Sequence, residues 1–137
     1  SIYGEYAGED TVGRSNFSLG NAATSIGIYL PMVTPDLSMR YEFSDWTTNW
    51  YVHHLYQQGY TNKGSVLGHW GGDNRKFNDD TPATTHSFNF NWNLASGQLL
   101  DMTFRAIQNK SSAEVNYETG YEVEAEYSYK CEHETGI

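Results

Sequence analysis

The chain of 137 residues is poor in cysteine, proline and basic side chains. Its single cysteine, Cys131, excludes an intrachain disulfide. Eight basic residues stand against 17 acidic ones, and the net charge of -9 argues against a nucleic-acid partner, because little could neutralise phosphates. No run approaches the ~18 apolar residues of a membrane-spanning helix, and no signal peptide opens the chain. The sequence is therefore expected to be a mature product or a fragment.

Aromatic residues, by contrast, are abundant, and they fall in alternating patterns. They make up 15% of the chain, with 11 Tyr and 4 Trp. Apolar and polar residues alternate in the manner of β-strands in seven stretches, residues 2–8, 22–30, 37–44, 47–56, 85–94, 100–106 and 119–130. No stretch shows the 3.6-residue period of a helix. The sequence thus predicts an all-β, antiparallel fold.

Two architectures fit strands that are apolar on one face and rich in Arg, Glu and Asn on the other. A soluble sandwich or small barrel would turn the apolar face inward. A transmembrane barrel would turn it to lipid and line a polar lumen with the other face. Single-chain bacterial barrels usually have an even number of strands, at least about eight. Seven strands therefore indicate either a further strand near residues 64–70 or a part of a larger barrel.

The stretch GYTNKGSVLGHWGGDNR, residues 59–75, interrupts this alternation. Functional residues often lie on such long loops, positioned by a rigid scaffold. Lys63, Arg75 and Lys76 are three of the eight basic residues, and their clustering suits an acidic ligand. The alternative is a partly ordered loop without a specific ligand, in which Asp73 and Arg75 pair locally.

The strings YGEYAGED (residues 3–10) and GYTNKG…LGHWGGD, together with the hydrophobic hairpins, resemble the C-terminal part of the Wzi-like capsule assembly proteins. The resemblance runs from residue 3 to about residue 130. It implies an antiparallel transmembrane β-barrel of the Gram-negative outer membrane, of which this chain is a C-terminal portion. Residues 1–130 would form the barrel segment, and residues 131–137 a C-terminal extension or tag.

The resemblance also implies a function, which is to organise or attach capsular polysaccharide at the cell surface as a lectin and not as an enzyme. Sugar recognition uses flat aromatic faces and a few fixed polar groups. The central loop offers both. The predicted carbohydrate-binding residues are Tyr60, Asn62, Lys63, His69, Trp70, Asp73, Asn74 and Arg75. The expected partners are an acidic capsular polysaccharide, outer-membrane lipid and the remainder of the barrel.

No cofactor and no metal site are expected. His53, His54, His69 and Asp73 are of the types that bind zinc, but no spacing supports a site. An enzymatic alternative would pair Glu5, Glu9 or Asp10 with Asp73 to cleave a glycosidic bond. Further alternatives are a structural or pore-forming barrel without sugar specificity and a soluble β-domain that binds or cleaves carbohydrate.

The strand count also predicts an orientation. Barrel C-termini of this class normally lie in the periplasm, on the side of the short turns. Counting strands backward from the C-terminus places residues 57–83 at the cell surface. The same count places residues 10–20 on the periplasmic side.

Overall fold

The computed structural model describes residues 1–8, 12–13, 18–47, 61–62, 65–66, 70–72, 81–95, 97–110 and 118–129. Its strands are β1 (Ile2–Ala7), β2 (Ala23–Thr34), β3 (Leu37–Trp46), β4 (Thr61–Asn62), β5 (Ser65–Val66), β6 (Ala83–Ala95), β7 (Gln98–Asn109) and β8 (Gly120–Tyr129). A short 3-10 turn spans Trp70–Gly72. Within these residues, no helix has the length and apolar character needed to cross a membrane. The prediction of an all-β antiparallel fold is confirmed.

Six of the strands form one antiparallel sheet in the order β1-β2-β3-β6-β7-β8, while β4 and β5 form a separate small hairpin. β3 pairs directly with β6 from Leu37 opposite Trp92 to Trp46 opposite Ala83. The predicted strand at residues 47–56 therefore has no place between β3 and β6 in this sheet, and apart from Thr47 that stretch lies outside the described residues. The sheet has six strands where the alternation predicted seven.

The connections of this sheet differ in length at its two ends. β2 turns into β3 through Pro35 and Asp36, and β6 turns into β7 beside Gly97, whose positive φ of 76° suits a glycine. These two turns define the short-turn end. Because neighbouring strands are antiparallel, residues 8–22, 47–82 and 110–119 all connect strands at the opposite, long-connection end.

This arrangement corrects the prediction that residues 10–20 lie on the opposite side from residues 57–83. Both segments lie at the long-connection end. The prediction was wrong because it counted residues 47–56 as a strand of the sheet, and each counted strand reverses the direction of the chain.

Side chains alternate between the two faces of each strand, so the register sorts the whole sheet into an apolar face and a polar face. Ile28, Tyr41, Phe88, Phe104 and Val123 lie in one row on the apolar face. These four residue types, Ile, Tyr, Phe and Val, all favour pleated sheets. Within the described part of the chain, nothing covers this face, and Val123 is 68% exposed. A domain folded in water would bury such a row against a second layer.

The apolar face also has a layered composition. Its middle row is Leu30, Met39, Phe90, Met102 and Ala125, and it contains no polar side chain. Aromatic residues lie on either side of this row. They are Trp92, Tyr127 and Tyr129 towards the short-turn end, and Tyr6, Tyr41, Phe43 and Tyr121 towards the long-connection end. An apolar band flanked by aromatic girdles is the outer surface typical of a membrane barrel.

The edges of the sheet show that this chain does not close a barrel by itself. β1 and β8 are the two outer strands, and they do not pair with each other. Among the described residues, the buried hydrophobic side chains are confined to Trp46 and Ala83, which are register partners at the long-connection end. Within the described residues, the sheet thus has an uncovered apolar face and one small packed region on its polar face.

Candidate functional site

The polar face carries the chemistry of the molecule. Its side chains come from alternate positions on all six strands. They include Tyr3, Glu5, Arg40, Glu42, Asn89, Asn91, Asp101, Thr103, Arg105, Glu122, Glu124 and Glu126. Among these side chains, six carboxylates stand against two arginines, so the face is acidic.

In the centre of the polar face, amide side chains hold a carboxylate in place. Asn89 Nδ2 donates hydrogen bonds to Asp101 Oδ1 at 2.8 Å and to Thr103 Oγ1 at 3.0 Å. Asn91 Nδ2 donates to the other oxygen, Asp101 Oδ2, at 3.1 Å. The register makes this possible because Asn91 and Asp101 are direct partners on β6 and β7. Both oxygens of Asp101 are therefore held by side chains of β6.

Arg105 on β7 links the polar face to β8 and to Trp70. Its Nη1 atom donates to Glu122 Oε1 at 3.1 Å and to Glu124 Oε2 at 3.4 Å, both on β8. Its guanidinium carbon lies 5.8 Å from the centre of the Trp70 ring, within the range of a cation–π contact. The side chain of Trp70 is half-buried, and the next residue, Gly71, is buried. The 3-10 turn from the long β3–β6 connection thus folds back onto the polar face.

A second feature lies across the sheet, at the long-connection end of β1, β2 and β3. A shallow depression of about 90 Å³ is lined by Glu5, Ala7, Ala23, Thr24, Ser25, Ser44, Asp45 and Trp46. The Oγ atoms of Ser25 and Ser44 lie 2.7 Å apart and share a hydrogen bond. Trp46 Nε1 donates to the carbonyl oxygen of Thr81 at 3.4 Å, which ties the segment before β6 to this corner. The depression combines hydroxyl groups, two carboxylates and an indole.

Of the eight sequence-predicted site residues, the structure places the side chain of one. Trp70 lies against Arg105, as described above. For Asn62 the structure gives the backbone, which pairs with Ser65 in the small β4–β5 hairpin. The other six, Tyr60, Lys63, His69, Asp73, Asn74 and Arg75, lie outside the described residues.

The alternative sites divide in the same way. His53, His54, Glu9 and Asp10 also lie outside the described residues, whereas Glu5 lies on the polar face beside the depression. Over the part of the chain that the structure describes, no three His, Cys, Asp or Glu side chains gather as metal ligands would. Asp73, the common member of the carboxylate pairs in the enzymatic alternative, lies outside the described residues as well.

Sequence reasoning missed Arg105 and its two glutamates. In the sequence, Arg105 is one polar position of an alternating strand, and Glu122, Glu124 and Glu126 are polar positions of the next one. The register of β7 with β8 places Arg105 opposite Glu122 and makes the ion pair. The available signal was an arginine on the polar side of a strand whose neighbour carries glutamates at every second position.

The comparisons with known proteins bear on the whole chain. The family model described as capsule assembly protein Wzi matches residues 1–132. No curated protein and no solved structure matched the chain. Proteins of that family are outer-membrane β-barrels, which agrees with the long antiparallel strands and the uncovered apolar face. Because the match covers nearly all of the 137 residues, the chain belongs to the Wzi capsule assembly protein family.

Proposed function

We propose that this protein acts in capsule assembly by binding capsular polysaccharide at the cell surface, as a lectin-like barrel that does not cleave the polysaccharide. The observation that carries the proposal is the position of Trp70. This aromatic residue of the glycine-rich loop is held against Arg105 on the polar face, close to the long-connection end. Sites that bind sugar rings combine an aromatic ring with nearby hydrogen-bonding groups in this way.

The charges around Trp70 support an acidic polysaccharide as the ligand. Lys63 and Arg75 belong to the same loop as Trp70, and Arg105 lies beneath the ring. Arginine can hold a carboxylate through two parallel hydrogen bonds. Arg105 is shared between Glu122 and Glu124, so a uronate of the ligand would compete with these two side chains.

The long-connection end is proposed to face the cell surface. In bacterial outer-membrane barrels the long loops are extracellular and the short turns are periplasmic. Residues 8–22, 47–82 and 110–119 share one end of this sheet, and the turns at Pro35 and Gly97 share the other. Residues 57–83 would then face the capsule, as contact with polysaccharide requires.

The proposal is tested by measuring how much purified capsular polysaccharide the complete protein retains in detergent solution. We expect Trp70→Ala and Arg75→Ala each to weaken retention by about fivefold to tenfold, because one loses a stacking surface and the other a charged contact. Trp92→Phe is the matched control, since Trp92 lies on the apolar face, away from the loop. If both loop variants retained as much polysaccharide as the wild-type protein, the proposed role of this loop would be wrong.

The same incubation separates binding from cleavage and from a purely structural role. A binding protein leaves the length of the polysaccharide chains unchanged over long times. Shorter products that disappear in Asp73→Asn would favour the glycosidase alternative instead. Absence of both retention and cleavage with the complete wild-type protein would favour a structural or pore-forming barrel, which the polar face also suits.

A further inference from the structure

β8 forms an uncovered edge of the sheet. It pairs with β7 on one side along ten residues, and no strand of the described residues pairs with its other side. Its apolar side chains are among the most exposed in the described chain, with Tyr121 at 81%. A long, flat edge with free backbone donors and acceptors is a template for another strand. The question is which kind of strand this edge accepts.

The polar face of β8 carries an acidic row, Glu122, Glu124 and Glu126. Arg105 contacts the first two through a single nitrogen atom. Glu126 is the register partner of Asp101, so two carboxylates stand opposite each other. Within the part of the chain that the structure describes, Arg105 is the one cation that forms an ion pair with this row. The row therefore has more negative charge than β7 compensates.

We propose that β8 pairs with a strand of the complete barrel wall whose side chains alternate between basic residues on the polar face and apolar residues on the other face. Opposite charges on directly opposed residues stabilise neighbouring strands, and like charges destabilise them. Lysine or arginine beside Glu124 and Glu126 would neutralise the negative charge of the row that Arg105 leaves uncompensated. The apolar positions of the same strand would continue the surface formed by Tyr121 and Val123.

The charges argue against two other occupants of this edge. β1 carries Glu5 on its polar face. Pairing β1 with β8, either within the chain or between two copies, would place Glu5 beside the acidic row. Pairing β8 with β8 of a second copy would set glutamates against glutamates. Both arrangements add like charge to a row that already has an excess.

Removing the charge of Glu126 tests the proposal, because the proposal and the isolated sheet predict changes in stability of opposite sign. In the sheet alone, Glu126 faces Asp101, so removing its charge would relieve repulsion and raise stability. A basic neighbouring strand reverses this sign, because Glu126 then provides a favourable contact. The measurement is the midpoint temperature at which the complete protein loses its folded band on an unboiled detergent gel.

We expect Glu126→Gln to lower this midpoint by roughly 2–4 °C and Glu126→Ala to lower it by a similar amount, because both remove the charge. High salt should reduce both differences, because the contact is electrostatic. Glu118→Gln is the matched control, since Glu118 lies just before β8 and outside its ladder, and it should leave the midpoint unchanged. A midpoint that rises or stays the same in both Glu126 variants would overturn the proposal. So would a dimer of the complete protein that dissociates when Glu126 is changed, which would make a second copy the partner.

Discussion

At the scale of single residues, Tyr3 and Gly27 are matched on the polar face. A Cβ atom at position 27 would lie 2.1 Å from Cζ of Tyr3, so the ring occupies the space that a side chain would need. The Tyr3 hydroxyl donates to Glu42 Oε2 at 2.9 Å. Tyr3, Gly27 and Glu42 belong to one row of the sheet, and the tyrosine therefore bridges from β1 across β2 to β3. An aromatic ring that covers a strand glycine is a known device for fixing register.

We predict that Gly27→Ala lowers the free energy of unfolding by about 1–3 kcal/mol, because the new methyl group displaces the Tyr3 ring and its hydrogen bond. Gly4→Ala is the control on the neighbouring strand, where a Cβ would meet its nearest atom, the carbonyl oxygen of Ser25, at 3.4 Å. Urea unfolding of the complete protein in lipid vesicles compares the two variants. Equal destabilisation by both would contradict the close fit of Tyr3 over Gly27.

Single residues are also where sequence reasoning reached its limit. The glycine-rich loop and its aromatic residues predicted Trp70 as a site residue, since such a loop between well-patterned strands stands out locally. The arginine beneath it could not be predicted, because Arg105 is 35 positions away and meets Trp70 through strand pairing. The same holds for Tyr3 and Gly27. Contacts across a sheet depend on register, and register is a non-local property.

At the scale of elements, the alternation of apolar and polar residues predicted the long strands inside the sheet well. β6 was predicted at residues 85–94 and spans Ala83–Ala95. Its apolar and polar positions fall on the predicted faces, since Phe88 and Phe90 lie opposite Tyr41 and Met39. The predicted strand at residues 47–56 lies, apart from Thr47, outside the described residues. The direct ladder between β3 and β6 leaves no gap for it in the sheet.

The layered apolar face leads to a depth-dependent prediction for β6 and β7. Phe90 lies in the middle row between Met39 and Met102. The centres of the Phe90 and Phe104 rings lie 5.9 Å apart, in an edge-on arrangement. Arginine at the midplane of a bilayer costs about 2–4 kcal/mol on the lipid face of a barrel, and about 0–1 kcal/mol near the interface. We therefore expect Phe90→Arg to destabilise the folded protein far more than Gln98→Arg, which lies on the same face at the short-turn end.

Urea unfolding in lipid vesicles measures this difference as well. Phe90→Ala controls for the loss of the phenylalanine ring itself, because it removes the ring without adding a charge. If Phe90→Arg and Gln98→Arg reduced the free energy of unfolding equally, the middle row would not lie in the hydrocarbon layer.

At the scale of the whole molecule, the sheet requires two different surroundings. Its apolar face needs an apolar medium and its polar face needs water or polar loops, yet the packed core of the described residues amounts to Trp46 and Ala83. The alternation of the sequence could not choose between a soluble domain and a membrane barrel, because its period is the same whichever side the apolar residues face. Family membership decides in favour of the barrel, and it agrees with an apolar face that the described residues leave uncovered.

Fluorescence of Trp92 tests this arrangement directly. Trp92 lies on the apolar face in the aromatic girdle of the short-turn end, and its side chain is exposed. In the complete protein with Trp92 as its single tryptophan, brominated lipids should quench the emission strongly, and most strongly when the bromines lie close to the headgroups. The remaining tryptophans, Trp46, Trp50, Trp70 and any elsewhere in the complete chain, are replaced for this measurement.

A second protein that retains Trp46 as its single tryptophan provides the internal reference. Trp46 is 4% exposed and lies on the polar face, bonded to Thr81, so brominated lipids should leave its emission nearly unchanged. Quenching of Trp92 but not of Trp46 requires lipid on one face of the sheet and protein on the other. Equal, weak quenching of both would mean that a protein layer covers the apolar face. The row from Ile28 to Val123 would then be the interior of a domain folded in water.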